Sequence, residues 1–97
     1  MSAIQKRIIK ELYNGTVLSV RNMYLLRCSN LSREIIRQFE LPFGIELNRK
    51  QIDWHDEFSS GYYYEYSLPK ENYKDIVRLY FKHVLNAPLN DWLWKVI

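Results

Sequence analysis

Residues 29–45 read SNLSREIIRQFELPFGI, and the fold turns on how this stretch is placed. Leu31, Ile35, Ile36 and Phe39 recur at i, i+4, i+5 and i+8, the spacing of one helix face turned to a core. Ser32, Arg33, Arg37 and Gln38 are left outside, with Glu34 at the flank. Ser29 or Asn30 supplies the N-cap, because a short polar side chain accepts an orphan backbone N–H there. Pro42 forbids further helix and Gly44 permits the turn out. The stretch therefore predicts a short basic amphipathic helix from Leu31 to Phe39, followed by a strand.

Upstream, Ile4, Ile8, Ile9 and Leu12 form one apolar stripe, which predicts a first helix over Ala3 to Tyr13. Asn14 and Gly15 end it, since both tolerate a left-handed C-cap. Thr16-Val17-Leu18 is a short β-prone piece. Ser19 then caps a second helix from about Val20 to Leu26 or Arg27, with Val20, Met23, Tyr24 and the aliphatic stem of Arg27 expected inward. Cys28-Ser29-Asn30 is the turn into the third helix.

Downstream, Ile45, Leu47 and Arg49 alternate with Glu46, Asn48 and Lys50, the period of a half-buried strand. Turn formers fill DWHDEFSSG at 53–61, and YYYEYSL at 62–68 is a second strand, so the pair predicts a β-hairpin. Tyr62, Tyr64 and Tyr66 share one face. Interleaved aromatic and basic residues can stack single-stranded bases, but in so short a chain these three are expected mostly to pack on helices, with Tyr63 outside. Pro69 opens a fourth helix. Its stripe is Tyr73, Ile76, Val77, Tyr80, Phe81, Val84 and Leu85, and Lys70, Lys74, Arg78 and Lys82 line the other side. Asn86-Ala87-Pro88 ends it, and an apolar tail with Trp92, Leu93, Trp94, Val96 and Ile97 follows.

Ninety-seven residues make one domain, with core and hairpin in 3–68, the fourth helix in 69–85 and the tail in 86–97. With 47% hydrophobic and 26% charged residues, the composition is that of a soluble globular chain rather than a disordered one. No apolar run reaches the roughly 18–20 residues that cross a bilayer, and charges interrupt the N-terminal apolar residues, so neither a membrane span nor a signal peptide is expected. Cys28 is the only cysteine, and a lone thiol fits the cytoplasm. Its spacing to His55 and His83 matches no metal signature, and neither a metal nor a cofactor is expected. No glycine-rich phosphate loop and no nucleophile with an evident base is present, so an enzyme is not expected and no catalytic residue is assigned. Charge is uneven. Residues 1–50 carry nine Lys/Arg against four Glu, a net of +5, and residues 51–97 carry five against seven Asp/Glu, a net of −2. A basic half suits a polyanion.

The predicted order is helix, short strand, helix, tight turn, helix, hairpin, helix, an α+β arrangement. Three stretches, IIKELYNGTVLS at 8–19, NLSREIIRQFE at 30–40 and YEYSL at 64–68, together with Gly44-Ile45, resemble the small winged helix-turn-helix proteins common in bacteriophages and prophages. The resemblance covers about residues 4–68 and is one of pattern, without a rigid signature. It implies a three-helix core with a β-hairpin wing, to which this chain adds a C-terminal helix and apolar tail. It implies a cytoplasmic DNA-binding regulator whose third helix reads the major groove of double-stranded DNA.

In such a fold the N-terminal residues of the third helix meet base edges. Arg33 would take guanine, Asn30 or Gln38 adenine, and Ser32 and Arg37 phosphate or sugar. Arg21, Arg27, Lys6 and Arg49 would neutralise backbone charge. The chain departs from the family in a bulky Asn22-Met23-Tyr24 inside the second helix and in an acidic hairpin tip, Asp53, Asp56 and Glu57, where a DNA-touching wing carries Lys or Arg. Tyr80, Phe81, Trp92, Leu93, Trp94 and Ile97 are the candidate interface. A homodimer through the fourth helix and tail is one reading, a surface by which the chain binds a host or phage protein, as a phage-encoded inhibitor would, is another, and a tail folded back over its own domain is the third.

Overall fold

The computed structural model of the chain describes residues 1–85. Trp92, Leu93, Trp94 and Ile97, and with them the tail half of the expected interface, lie outside the described residues. The described chain is α+β: helices pack around one core, and a two-stranded antiparallel hairpin runs out from it.

The first helix spans Ala3–Tyr13. Ser2 opens it with a reciprocal cap, its hydroxyl accepting the Gln5 N–H at 3.1 Å while the Gln5 side chain accepts the Ser2 N–H at 2.8 Å. The helix ends at Asn14, and Gly15, at φ 81°, turns the chain away. Ile8, Ile9 and Leu12 are buried as their spacing predicts. The short β-prone piece then does one job. Leu18 exchanges both backbone hydrogen bonds with Tyr66, at 2.8 and 2.7 Å, and so ties the body to the hairpin.

The second helix is reduced to a 3-10 turn, Met23–Leu26. Local side-chain bonds explain the loss. The Ser19 hydroxyl accepts the Arg21 N–H, the Asn22 side-chain oxygen Oδ1 accepts the Ser19 N–H, and the Asn22 side-chain amide Nδ2 donates to the Val17 backbone carbonyl. These bonds hold the backbone in a turn that competes with α-helix. Val20 and Tyr24, expected inward, are therefore exposed, and Leu26 is the residue that enters the core. Arg27 closes the turn in the left-handed region, at φ 54°.

The third helix runs on past its expected end. It comprises an α segment Leu31–Ile35, a π segment Ile36–Glu40 and a final turn Leu41–Phe43. Asn30 is the cap, accepting the Arg33 N–H at 3.1 Å. The Leu41 N–H bonds the Ile36 carbonyl, five residues back. This wide turn lies immediately ahead of Pro42, where an α turn would drive the proline ring against the Gln38 carbonyl. Pro42 thus sits inside the helix, and Gly44, at φ 66°, stops it. Leu31, Ile35 and Phe39 are buried. Ile36 is 40% exposed, because neighbouring residues point about 100° apart on a helix and Ile35 holds the inward direction.

Ile45 and Leu47 are buried and lead into β1, Asn48–His55, which pairs with β2, Ser60–Ser67. The strands are longer than expected, so Asp53 and Trp54 lie in β1 rather than in a loop. The reversal is confined to residues 56–59. There the Asp56 carboxylate accepts the N–H groups of Phe58 and Ser59, each at 2.8 Å.

The fourth helix follows Pro69 as a 3-10 turn Lys70–Asn72, an α segment Tyr73–Leu79 and a π turn Tyr80–Val84. Ile76 and Val77 enter the core. Tyr80 stacks face to face on Tyr13, centroids 3.9 Å apart and planes within 3°, and Phe81 meets Tyr13 edge-on. Tyr80 and Phe81, candidates for the interface, are both half-buried against Tyr13. Tyr73 and Leu85 are exposed, since the 3-10 and π turns at the two ends depart from the 3.6-residue spacing that would carry them inward.

Candidate nucleic-acid interface

The outer face of the third helix and the base of the hairpin form one corner, held by two clamps. At the N-terminal end of the helix, the Ser32 and Tyr66 hydroxyls hydrogen-bond at 2.6 Å. Eight residues on, about 12 Å along the helix axis, Arg49 grips Glu40 with both terminal guanidinium nitrogens, one at 2.8 Å. Glu40 also accepts the Leu47 N–H at 2.8 Å, and the Arg49 guanidinium lies 4.9 Å from the centre of the Tyr66 ring. The two-pronged hydrogen bond from Arg49 holds the Glu40 carboxyl below its ordinary range, and the same bond raises Arg49.

The clamp carries a prediction with a defined sign. The Glu40 pKa is depressed in the folded state, so its stabilisation is present above the ordinary carboxylate value of about 4.3 and is lost as pH falls through the folded value. Glu40→Gln should cost about 1–2 kcal/mol at pH 7. In urea titrations at pH 7 and pH 3, the gap between the two proteins should close at the lower pH. An equal gap at both would mean that the charge pair is not its source.

The sequence-derived contact residues meet different fates. Arg33 and Arg37 stand one turn apart on the exposed face of the third helix. Arg33 keeps a loose contact of 3.6 Å with Glu34 and remains half exposed. Arg37 has no ion pair among the described residues. Asn30 has its side-chain oxygen committed to the cap, and Ser32 is tied to Tyr66. Gln38 accepts the Ser2 hydroxyl at 3.0 Å, which points it toward the start of the first helix. Arg49 is a clamp, its charge neutralised by Glu40. Arg21 lies over the Tyr63 ring at 5.2 Å. Arg27 and Lys6 are exposed.

Other features were missed in the sequence. Tyr62 and Tyr64 are exposed instead of packing on helices, whereas Tyr63, expected outside, is half-buried beneath Arg21. The register was the missing information: it sets Tyr66 against Arg49 at the body and carries Tyr64 and Tyr62 outward, opposite Gln51 and Asp53. Glu40 gave no sequence signal as Arg49's partner, nine residues away.

No cluster of three His, Cys, Asp or Glu side chains able to hold a metal ion occurs among the described residues. Burial, and then Glu34, push the Cys28 thiol up, which disfavours the reactive thiolate. A groove of about 390 Å³ beside Leu12, Tyr13, Leu68, Pro69 and Tyr73 is lined by no titratable group except Tyr13, Tyr73 and Lys70. No helix among the described residues is long and apolar enough to cross a membrane. Comparison with known proteins gives no matching family model, no matching curated protein and no matching solved structure.

Proposed function

We propose that the chain is a small DNA-binding protein of winged-helix type, whose third helix enters the major groove with the hairpin as its wing. One observation carries the reading: Arg33 and Arg37 project together from the exposed face of a helix whose other sides are fixed by its cap, the core and both clamps. Rigid presentation of cations is what a reading helix needs, and the major groove admits an α-helix. Arg33, near the helix N-terminus, meets a base edge, and Arg37 meets phosphate. Arg21, Arg27 and Lys6 supply further backbone contacts. Asn30, Ser32, Gln38 and Arg49 position these groups rather than touch DNA. The role as a phage or mobile-element regulator rests on the sequence resemblance alone.

Four phosphate contacts, Arg37, Arg21, Arg27 and Lys6, imply a slope of log K against log salt of about −3.6, or roughly a 100-fold loss of affinity between about 50 and 200 mM. Fluorescence anisotropy with a pool of labelled random duplexes measures it. No binding to any duplex at the lower salt would sink the reading.

A second reading, a protein-interaction module on the same scaffold, is favoured by the hairpin's outer half, which is acidic and carries exposed aromatic rings.

A further inference from the structure

Beyond the clamps the hairpin stands in solvent. Residues 53–60 are all exposed, and Phe58 at the tip is 87% exposed. An unsupported two-stranded ribbon is only marginally stable in water, and exposed aromatic residues at such a place mark a surface that is covered in use. Tyr62, 60% exposed, and Tyr64 continue one line of rings from the buried Tyr66, at centroid spacings of 5.7 and 6.4 Å.

What covers this line follows from its charge and from its inner end. The outer half, residues 52–63, carries Asp53, Asp56 and Glu57 and neither Lys nor Arg, on a chain that is otherwise basic, while Lys50 and Glu65 face each other across the strands nearer the body. The two N–H groups of the turn hold Asp56 in its ionised form. A phosphate backbone is repelled there. At the inner end, the same row of rings already holds a cation: Arg49 lies over Tyr66 and is closed off by the Glu40 carboxylate. Arg21 repeats the contact on Tyr63, on the other face. At the outer end the ring-and-carboxylate arrangement recurs. Tyr62 is paired across the strands with Asp53, whose carboxylate is held at 2.9 Å by the Gln51 amide, itself opposite Tyr64. No cation lies over Tyr62 or Tyr64 among the described residues.

We infer that Tyr62, Tyr64 and Asp53 form a docking surface for an arginine-bearing segment of another protein. A guanidinium stacks on a tyrosine face and pairs with a carboxylate at once, which an ammonium does less well. The surface is independent of the DNA reading. It lies on the hairpin rather than the third helix, and its probe is a peptide rather than a duplex.

The test uses the full chain and a fluorescein-labelled nona-arginine peptide, with nona-lysine for comparison. Nona-arginine should bind more tightly than nona-lysine. The Tyr62→Ala/Tyr64→Ala protein should bind it about 5- to 30-fold more weakly. Tyr62→Phe/Tyr64→Phe should stay within about twofold, because the ring faces survive, and Asp53→Asn should weaken binding. Circular dichroism confirms that each variant is folded. Unchanged affinity in the alanine pair, or equal loss in the phenylalanine pair, overturns the proposal. Two other results overturn it by naming another occupant. One is labelled oligo(dT) binding that the alanine pair abolishes, the mark of a platform for unpaired bases. The other is a concentration-dependent dimer in sedimentation that the alanine pair abolishes, the mark of a second copy of this chain.

Discussion

Phe39→Ala should lower the unfolding free energy by about 3–5 kcal/mol. Phe39 is fully buried at the middle of the third helix, among residues contributed by the first helix, the third and the fourth. Phe43 packs on it with ring centroids 5.6 Å apart. Truncation removes the ring's transfer free energy and leaves a cavity that helices pinned on several sides cannot close. A domain of this size has roughly 5–15 kcal/mol of total stability, so the change removes at least about a fifth of it and, at the low end of that range, most or all of it. The urea midpoint should fall by roughly 2–4 M. Phe39→Leu keeps most of the volume and should cost much less, about 1 kcal/mol. A loss under about 1 kcal/mol for the alanine protein would mean that the third helix does not face the core as described.

The largest effects on DNA affinity should come from Arg33→Ala and Arg37→Ala, and the two should differ in kind. Removing a bidentate base contact costs about 1–3 kcal/mol and relaxes base preference at one position. Removing a phosphate contact weakens binding evenly across sequences and lowers the salt slope by about 1. Arg33→Ala should behave in the first way and Arg37→Ala in the second. Arg49→Ala is the informative control. Its charge is bound to Glu40, so it should reduce stability and leave the salt slope of the remaining folded protein unchanged. If Arg49→Ala lowers the slope as much as Arg37→Ala, the clamp opens on DNA and Arg49 reaches phosphate after all.

These two predictions divide along what local sequence can and cannot carry. Phe39 was legible as a core residue from spacing alone, as were Ile8, Ile9, Leu12, Leu31, Ile35, Ile76 and Val77. Repetition at 3.6 residues is a property of one helix and needs no knowledge of its neighbours. Arg33 and Arg37 were legible as outward residues for the same reason. The spacing misled where a turn departed from α geometry. Val20 and Tyr24 followed the competing bonds of Ser19 and Asn22, Pro42 was admitted by a wide turn, and Tyr73 and Leu85 fell at irregular helix ends.

By itself, then, the sequence determined the element order, the first helix with its bounds, the inward stripe of the third helix and the presence of a hairpin. Each depends on side chains a few residues apart along the chain. Only the tertiary structure decided which cations are free. Arg49 meets Glu40, Gln38 meets Ser2 and Tyr66 meets Ser32 across separations of 9, 36 and 34 residues. It also decided which tyrosines of the hairpin are exposed, since strand alternation gives the faces of a ribbon but not how far along it the body reaches. A charge's availability depends on what stands within about 3 Å of it, and that neighbour is chosen by the fold.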